Sequence, residues 1–278
     1  MPVDLSRKLA AEFVAMTLFV FVGCGTAVSS QAIDVFNNAE GTSSGFLIAT
    51  SLAFGIGISV LAYTIAPVSG GHINPAVTTS LLLIGEIDAF TAAAYVVTQF
   101  VAAAFGAALV WGCMADQTLK DTQDDAPPFL LGSNTVTADL PLGSAFLIEV
   151  MGTFLLVWTV CMTAVSKNSI AANIAPIAIG WSVLLAHLVL IPYTGCGINP
   201  ARSFGPHIVV VMAGEKIGLA GWWVYYTAPF VGGGLAALCY KFIFCEPEEA
   251  TEEEQPKQVN AEKKEAAMDS EECEADAQ

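Results

Sequence analysis

Two copies of one tripeptide, Asn74-Pro75-Ala76 and Asn199-Pro200-Ala201, hold the residues whose types and spacing invite chemistry. Asn is a favoured helix N-cap and Pro is favoured at the first helical position, so Asn-Pro reads as a helix start. The side-chain oxygen of such a cap accepts from an N–H of its own helix, leaving the NH2 donors to point elsewhere. Helix N-termini also carry about half a positive charge each. Two such ends facing one another would turn a passing water by its oxygen and repel cations, protons included. A helix start belongs at an aqueous boundary, yet both copies sit beside long apolar runs. They imply broken helices that begin inside a bilayer, where unwound backbone survives only if buried in protein or lining a wet cavity. The chain reads as a channel or transporter.

The elements that must position these caps are membrane spans. The 278 residues are 55% hydrophobic and 13% charged, with mean hydropathy +0.63; a soluble domain carries roughly a quarter charged residues. Six stretches approach the ~20 residues that cross a bilayer, over 9–29, 46–65, 88–111, 143–165, 173–192 and 221–244. Two shorter apolar stretches follow the Asn-Pro pairs, at 75–84 and 200–212. Each is about 15–20 Å long as a helix, roughly half the ~30 Å hydrocarbon core. Entering from opposite faces and meeting by their N-termini, the two cross once together.

The halves resemble each other: Ala11-Glu12-Phe13 with Thr17 pairs with Ile148-Glu149-Val150 with Thr153, and Gly57-Ile58-Ser59-Val60-Leu61 with Gly180-Trp181-Ser182-Val183-Leu184. Three spans per half is odd, so the second half is inverted relative to the first, a plan in which interrupted segments mark the site. The fold class expected is an all-α membrane protein of six transmembrane helices plus two re-entrant half-helices. The domain plan is a short N-terminus 1–8, a channel body 9–244 (repeats 9–111 and 143–244, joined by loop 112–142), and a tail 245–278. That tail holds thirteen acidic residues against three Lys, so −10 of the formal charge of −16 belongs to it. It is expected to be disordered, with a helical stretch near 260–268. Arg7, Lys8, Lys167 and Lys241 fall on one side, and Lys120, Arg202 and Lys216 on the other. With the tail lysines, both termini are cytoplasmic by the positive-inside rule, and loops 30–45 and 112–142 face outward.

The runs Ser69-Gly70-Gly71-His72-Ile73-Asn74-Pro75-Ala76-Val77-Thr78 and Thr194-Gly195-Cys196-Gly197-Ile198-Asn199-Pro200-Ala201-Arg202-Ser203 resemble the two signature loops of the aquaporin (major intrinsic protein) family. The resemblance spans about residues 9–244. It implies a right-handed bundle with one pore per protomer, a homotetramer, and an integral, plasma-membrane location. It also implies a selectivity filter near the outer mouth at Phe54, His187, Cys196 and Arg202. An Arg at that depth costs about 3 kcal/mol unless it faces water and is hydrogen-bonded. The set Phe, His, Cys, Arg resembles the water-selective branch. Glycerol-conducting relatives carry a small residue for the His and Asp after the Arg; this chain has His187 and Ser203. Tyr225 and Tyr226 resemble the aromatic pair of water channels. Glu12 and Glu149, ionisable inside spans, are implied to hydrogen-bond the backbone of the half-helix loops. His207 departs from the pattern, since the family has a small residue there, and should alter helix packing.

Gly55, Gly57, Gly106, Gly180 and Gly232 to Gly234 should permit close helix crossings. Seven scattered Cys show neither CxxC nor ligand spacing, so no disulfide framework or zinc site is indicated; Cys196, if it lines the pore, should meet mercurials. His72 should pack in its loop. Thr251, Ser270, Ser166 and Ser169 are candidate phosphorylation sites. The leading expectation is passive conduction of single-file water with exclusion of protons and ions. Alternatives are a channel for hydrogen peroxide, ammonia or glycerol, or a junction protein with a vestigial pore. No cofactor, metal or nucleic-acid partner is expected, and no nucleophile–base pair suggests an enzyme.

Overall fold

The computed structural model describes residues 4–36, 43–118, 130–214 and 221–245. Most of the tail, part of the 112–142 loop, Lys120, Lys216, Thr251 and Ser270 lie outside the described residues. Those described form helices without strands: α1 (Leu5–Phe36), α2 (Ser44–Ser69), α3 (Pro75–Ile84), α4 (Ala89–Thr118), α5 (Leu142–Val160), α6 (Ala175–Thr194), α7 (Pro200–Met212) and α8 (Trp222–Cys239). Two of the long helices end in π-helical turns, Cys161–Val165 after α5 and Tyr240–Phe244 after α8. Six segments are long and apolar enough to cross a bilayer, and α3 and α7 are the short pair that are not. α1, α2 and α4 overrun their apolar stretches because backbone hydrogen bonding does not stop where hydrocarbon does. α1 begins at Leu5, where the Asp4 carbonyl accepts from the N–H groups of Arg7 and Lys8.

Packing repeats across the two halves. In the first, α1 lies against α2 and α4; in the second, α5 lies against α6 and α8. α2 packs on α6, as two partners of one pseudo-two-fold must. Each half-helix crosses over: α3 packs on α8 and α7 on α4. The short helices, unable to span alone, are each fastened to the last helix of the opposite half.

The α2–α6 crossing depends on two glycines. A Cβ on Gly180 would lie 2.3 Å from the Gly55 carbonyl oxygen, and one on Gly55 would lie 2.5 Å from Leu184 Cβ. Gly57 and Gly234 play no such part: the nearest atom to a Cβ on Gly57 is at 3.8 Å, and nothing lies within 4 Å at Gly234. The true register therefore pairs Gly55 with Gly180, each nineteen residues before its Asn, two residues off the pairing of Gly57 with Gly180. Thr17 and Thr153 also diverge, because they stand at different offsets from their Glu. Thr17 donates to Ala102 O on α4, whereas Thr153 donates back to Glu149 O. Gly180→Val should force the α2–α6 crossing apart and cost about 2–3 kcal/mol or more. A thermal melt in detergent, compared with Gly57→Val as the tolerated control, checks this.

Candidate functional site

The two signature loops are built alike. Pro67 and Pro192 each stand seven residues before an Asn, near the ends of α2 and α6. Gly70 (φ 91°) and Gly195 (φ 71°) close those helices in the left-handed region and donate back to Ala66 O and Ile191 O. Left-handed backbone continues at Gly71 (φ 68°) and Ile73 (φ 49°), and at Cys196 (φ 57°) and Ile198 (φ 43°). For a residue with a Cβ this costs about 1–2 kcal/mol. Three such residues in two short loops need firm external support.

That support is two buried carboxylates. Glu12 Oε1 accepts from Ser69 Oγ (2.8 Å) and His72 N (2.9 Å), and Oε2 from Ile73 N (2.8 Å) and Gln99 Nε2 (2.9 Å). Glu149 Oε1 accepts from Thr194 Oγ1 (2.6 Å) and Gly197 N (2.8 Å), and Oε2 from Ile198 N (2.7 Å). Tyr95 and Tyr225 donate their hydroxyls to Ser69 O and Thr194 O, both at 2.8 Å. Tyr226, its neighbour, instead contacts Trp222 by an edge. Sequence reasoning missed Gln99 and Tyr95. Gln99 carried a signal, being an uncharged polar group in an apolar span. Its symmetry counterpart, four residues beyond Tyr225, is Pro229.

Asn74 Oδ1 caps α3 by accepting from Ala76 N (2.8 Å), and Asn199 Oδ1 caps α7 by accepting from Ala201 N (3.1 Å) and Arg202 N (3.2 Å). Pro75 and Pro200 fill the first helical positions. The amide nitrogens reach across: Asn74 Nδ2 donates to Ile198 O (2.9 Å) and Asn199 Nδ2 to Ile73 O (2.8 Å). One N–H of each amide is thus engaged with the opposite loop, where the sequence left both free. Two reciprocal bonds join the helix N-termini, and one N–H per Asn remains.

Both Asn line a cavity of about 220 Å³ that runs from Glu86, Ala164 and Val165 at one end to His187 and Arg202 at the other. Its wall is made of symmetry pairs: Phe19 with Leu156, seven residues after each Glu, Ile58 with Val183, and Asn74 with Asn199. Apolar side chains therefore alternate with a few polar groups and the backbone of Gly70, Gly71, Gly197 and Ile198. His72 is on the wall too, its Nδ1 3.1 Å from Thr78 Oγ1 and its ring edge-on to Tyr95.

Symmetry breaks at one end. His187 matches Ala62, Arg202 matches Val77 and Phe54 matches Ile179, so three larger groups converge where the other half has smaller ones. Phe54 stacks on His187 at 4.6 Å, and the Arg202 guanidinium carbon sits 4.5 Å from its ring centre. His187 Nδ1 lies 2.8 Å from Val183 O, an acceptor only, so Nδ1 carries a proton, and Nε2, without a partner, is the acceptor of the ring whenever it is neutral. Phe54 and Cys196 are fully buried, and neither contributes to the cavity wall.

The loop before α5 returns to this end, which the sequence did not foretell. Leu131 (φ 53°) and Gly132 (φ 68°) form a left-handed turn, and Arg202 Nη1 donates to Gly132 O (3.0 Å). Asn134, 1% exposed, donates from Nδ2 to Gly195 O (2.8 Å) and accepts from Ser203 Oγ at Oδ1 (2.9 Å). Its own carbonyl faces His207 Nε2 at 2.9 Å. Ser203, placed in the sequence as a marker of substrate class, is here a bond between α7 and that loop. Of the candidate phosphorylation residues described, Ser169 Oγ accepts from Ala171 N and Ser166 N donates to Cys161 O.

Comparisons with known proteins bear on this arrangement. The family model described as major intrinsic protein matches residues 2–240. Aquaporin-1 of Sus scrofa is 39% identical over 237 residues, covering 85% of this chain and 82% of that protein. Aquaporin-1 of Homo sapiens is 38% identical over the same length, with 85% and 81% covered. Among solved structures, the aquaglyceroporin from Plasmodium falciparum superposes with a TM-score of 0.73 at 22% identity, over 87% of this chain and 98% of that one. At that identity the likeness speaks for the fold alone.

Proposed function

The chain belongs to the major intrinsic protein family, and from this we infer that it is a passive channel conducting water in single file through the bilayer. The observation that carries the reading is the pair of reciprocal Asn74–Ile198 and Asn199–Ile73 hydrogen bonds on the wall of one cavity. They join two helix N-termini beside the cavity that both Asn line, and each amide keeps one N–H to offer there. A water there accepts from both Asn and cannot also pass a proton along the file, and the positive ends repel cations.

Toward the filter, a water donates to His187 Nε2 while Arg202 donates to it. Phe54 backs both of them, stacked on the His187 ring and under the Arg202 guanidinium, so a molecule much wider than water meets groups held rigidly in place. Glu12 and Glu149 hold the loops and move no proton. Ser203, Tyr225 and Tyr226 belong to the water-type pattern, with Tyr225 bracing the second loop. Supporting an orientation with both termini cytoplasmic are Arg7, Lys8, Lys167 and Lys241 on one side. We place the protein in a plasma membrane as a homotetramer with one pore per protomer, on family membership, and read the acidic tail 245–278 as a separate cytoplasmic segment.

Stopped-flow light scattering on reconstituted vesicles tests this. Water permeability should exceed that of empty vesicles by about tenfold or more, equivalent to ~1.4 kcal/mol of barrier, with glycerol flux near background. His187→Gly should admit glycerol while leaving water flow intact, because it replaces the ring with the space that Ala62 leaves in the other half. Wild-type vesicles as permeable to glycerol as to water would discard water selectivity.

A further inference from the structure

His207 replaces a small residue with a buried, hydrogen-bonding ring, and conduction of water as described gives it no task. Its ring is fully buried, stacked on Trp222 at 4.7 Å and set edge-on to Tyr225 at 6.1 Å. Tyr225 in turn braces the second signature loop through Thr194 O. The orientation leaves His207 one choice of proton. Asn134 O can only accept, so Nε2 donates to it, and Nδ1 has no partner.

We propose that His207 is a positioning residue for selectivity: by holding the Asn134 carbonyl, it fixes the 130–134 turn whose Gly132 carbonyl sets the Arg202 guanidinium. The proposal rests on Arg202 forming the filter. The chain of contacts is short and closed. α7 carries Arg202 and, five residues later, His207; both reach the same turn, at Gly132 and at Asn134. Arg202 Nε has no partner of its own, so its place depends on the Gly132 contact and the face of Phe54. The turn is strained at Leu131, whose positive φ persists only while its surroundings over-determine it. Asn134 supplies that constraint from three atoms, and His207 answers one of them. Without the His207 donor, a buried carbonyl loses its partner and the turn gains reason to swing toward solvent, taking the Gly132 acceptor with it.

His207 thus tightens the filter instead of merely reshaping helix packing. The test uses the full-length protein in vesicles, with water, urea and glycerol gradients. His207→Phe keeps the stacked ring but removes the donor, and His207→Ala introduces a small residue of the kind the family carries there. Either should raise the ratio of glycerol or urea flux to water flux by about tenfold, the scale on which a fitted site discriminates a single group. His207→Gln keeps an N–H near the same place and should hold the wild-type ratio.

A folded Phe or Ala variant with an unchanged ratio would overturn the proposal. So would a Gln variant as leaky as Phe, which would assign the effect to ring packing. A crystal structure of His207→Phe separates this from the conduction reading. Loss of the Gly132–Arg202 bond supports the positioning role even if wild-type vesicles passed no water, an outcome that would sink the conduction reading alone. Retention of that bond overturns it.

Discussion

Glu149→Ala should destabilise the protein by about 3–5 kcal/mol, since two backbone N–H groups lose their acceptor where water does not reach. Gly197 N and Ile198 N both bind this carboxylate, and Glu149 is fully buried. The loss falls on a loop already holding Cys196 and Ile198 in left-handed backbone, so little slack exists for the donors to find other partners. Glu149→Gln isolates the chemistry. Its amide presents one acceptor and two donors to a site made of donors, so it can satisfy at most part of the set and should cost roughly half as much. The same pair at Glu12 should behave alike. There Gln99 is a further orphaned donor, but Gly71 occupies the place of Cys196 and relaxes more easily. Thermal melts in detergent measure these costs. A Glu149→Gln protein melting like wild type, yet changed in proton-dependent flux, would make the carboxylate a relay rather than a brace.

What the sequence revealed and what it concealed divide along physical lines. The half-helices were legible to the residue, 75–84 and 200–212 against Pro75–Ile84 and Pro200–Met212, because Asn-Pro starts a helix by local chemistry alone. The six spans were legible because apolar length is a direct reading of solvent. Helix ends were less so: α1 runs from Leu5 to Phe36 where hydropathy marks 9–29, since polar residues continue a helix readily at the interface. The repeat was visible, but its register in α2 and α6 slipped by two residues. Small-residue likeness is a weak guide there, and the contact of Gly55 with Gly180 is what fixes it. The turn at Gly132 and Asn134 was hidden. Its contacts with Arg202, Ser203 and His207 join residues about seventy positions apart, as in the 69–73 residue separations of those bonds. No periodicity encodes such a meeting. The loop offers only a hint, the apolar pair Leu130-Leu131 beside a Gly in an otherwise polar stretch.

The two ends of the cavity are unequal, and the larger, more polar groups gather at one of them. A perfect two-fold would make both ends equal, with Val77 and its mate on the wall and Ala62 where a ring could stand. At that end of the cavity the divergence lies in Phe54, His187 and Arg202, while the supporting carboxylates, capping Asn and bracing tyrosines keep their symmetry. Scaffold and discrimination are therefore separable by substitution: changes in the symmetric set should unfold the loops, and changes in the asymmetric set should alter what passes.

Arg202→Val is the sharpest instance, because it writes into the second half the residue that the first half already carries at Val77. A monovalent cation passing about 4 Å from a guanidinium meets ~4 kcal/mol of repulsion at an effective dielectric constant near 20. That is about a thousandfold in rate. Cation leak through Arg202→Val vesicles should therefore rise by two to three orders of magnitude, about the factor just derived, while water flow changes little. Exclusion will not vanish, since the N-termini of α3 and α7 keep their half-charges at the Asn pair. Arg202→Lys separates charge from shape. It retains the positive field but loses the planar fork that bonds Gly132 O and lies on Phe54. Its vesicles should stay tight to cations and become more permeable to urea. If Arg202→Val remained as ion-tight as wild type, the barrier would reside wholly in the opposed Asn caps, and Arg202 would be left with solute size alone.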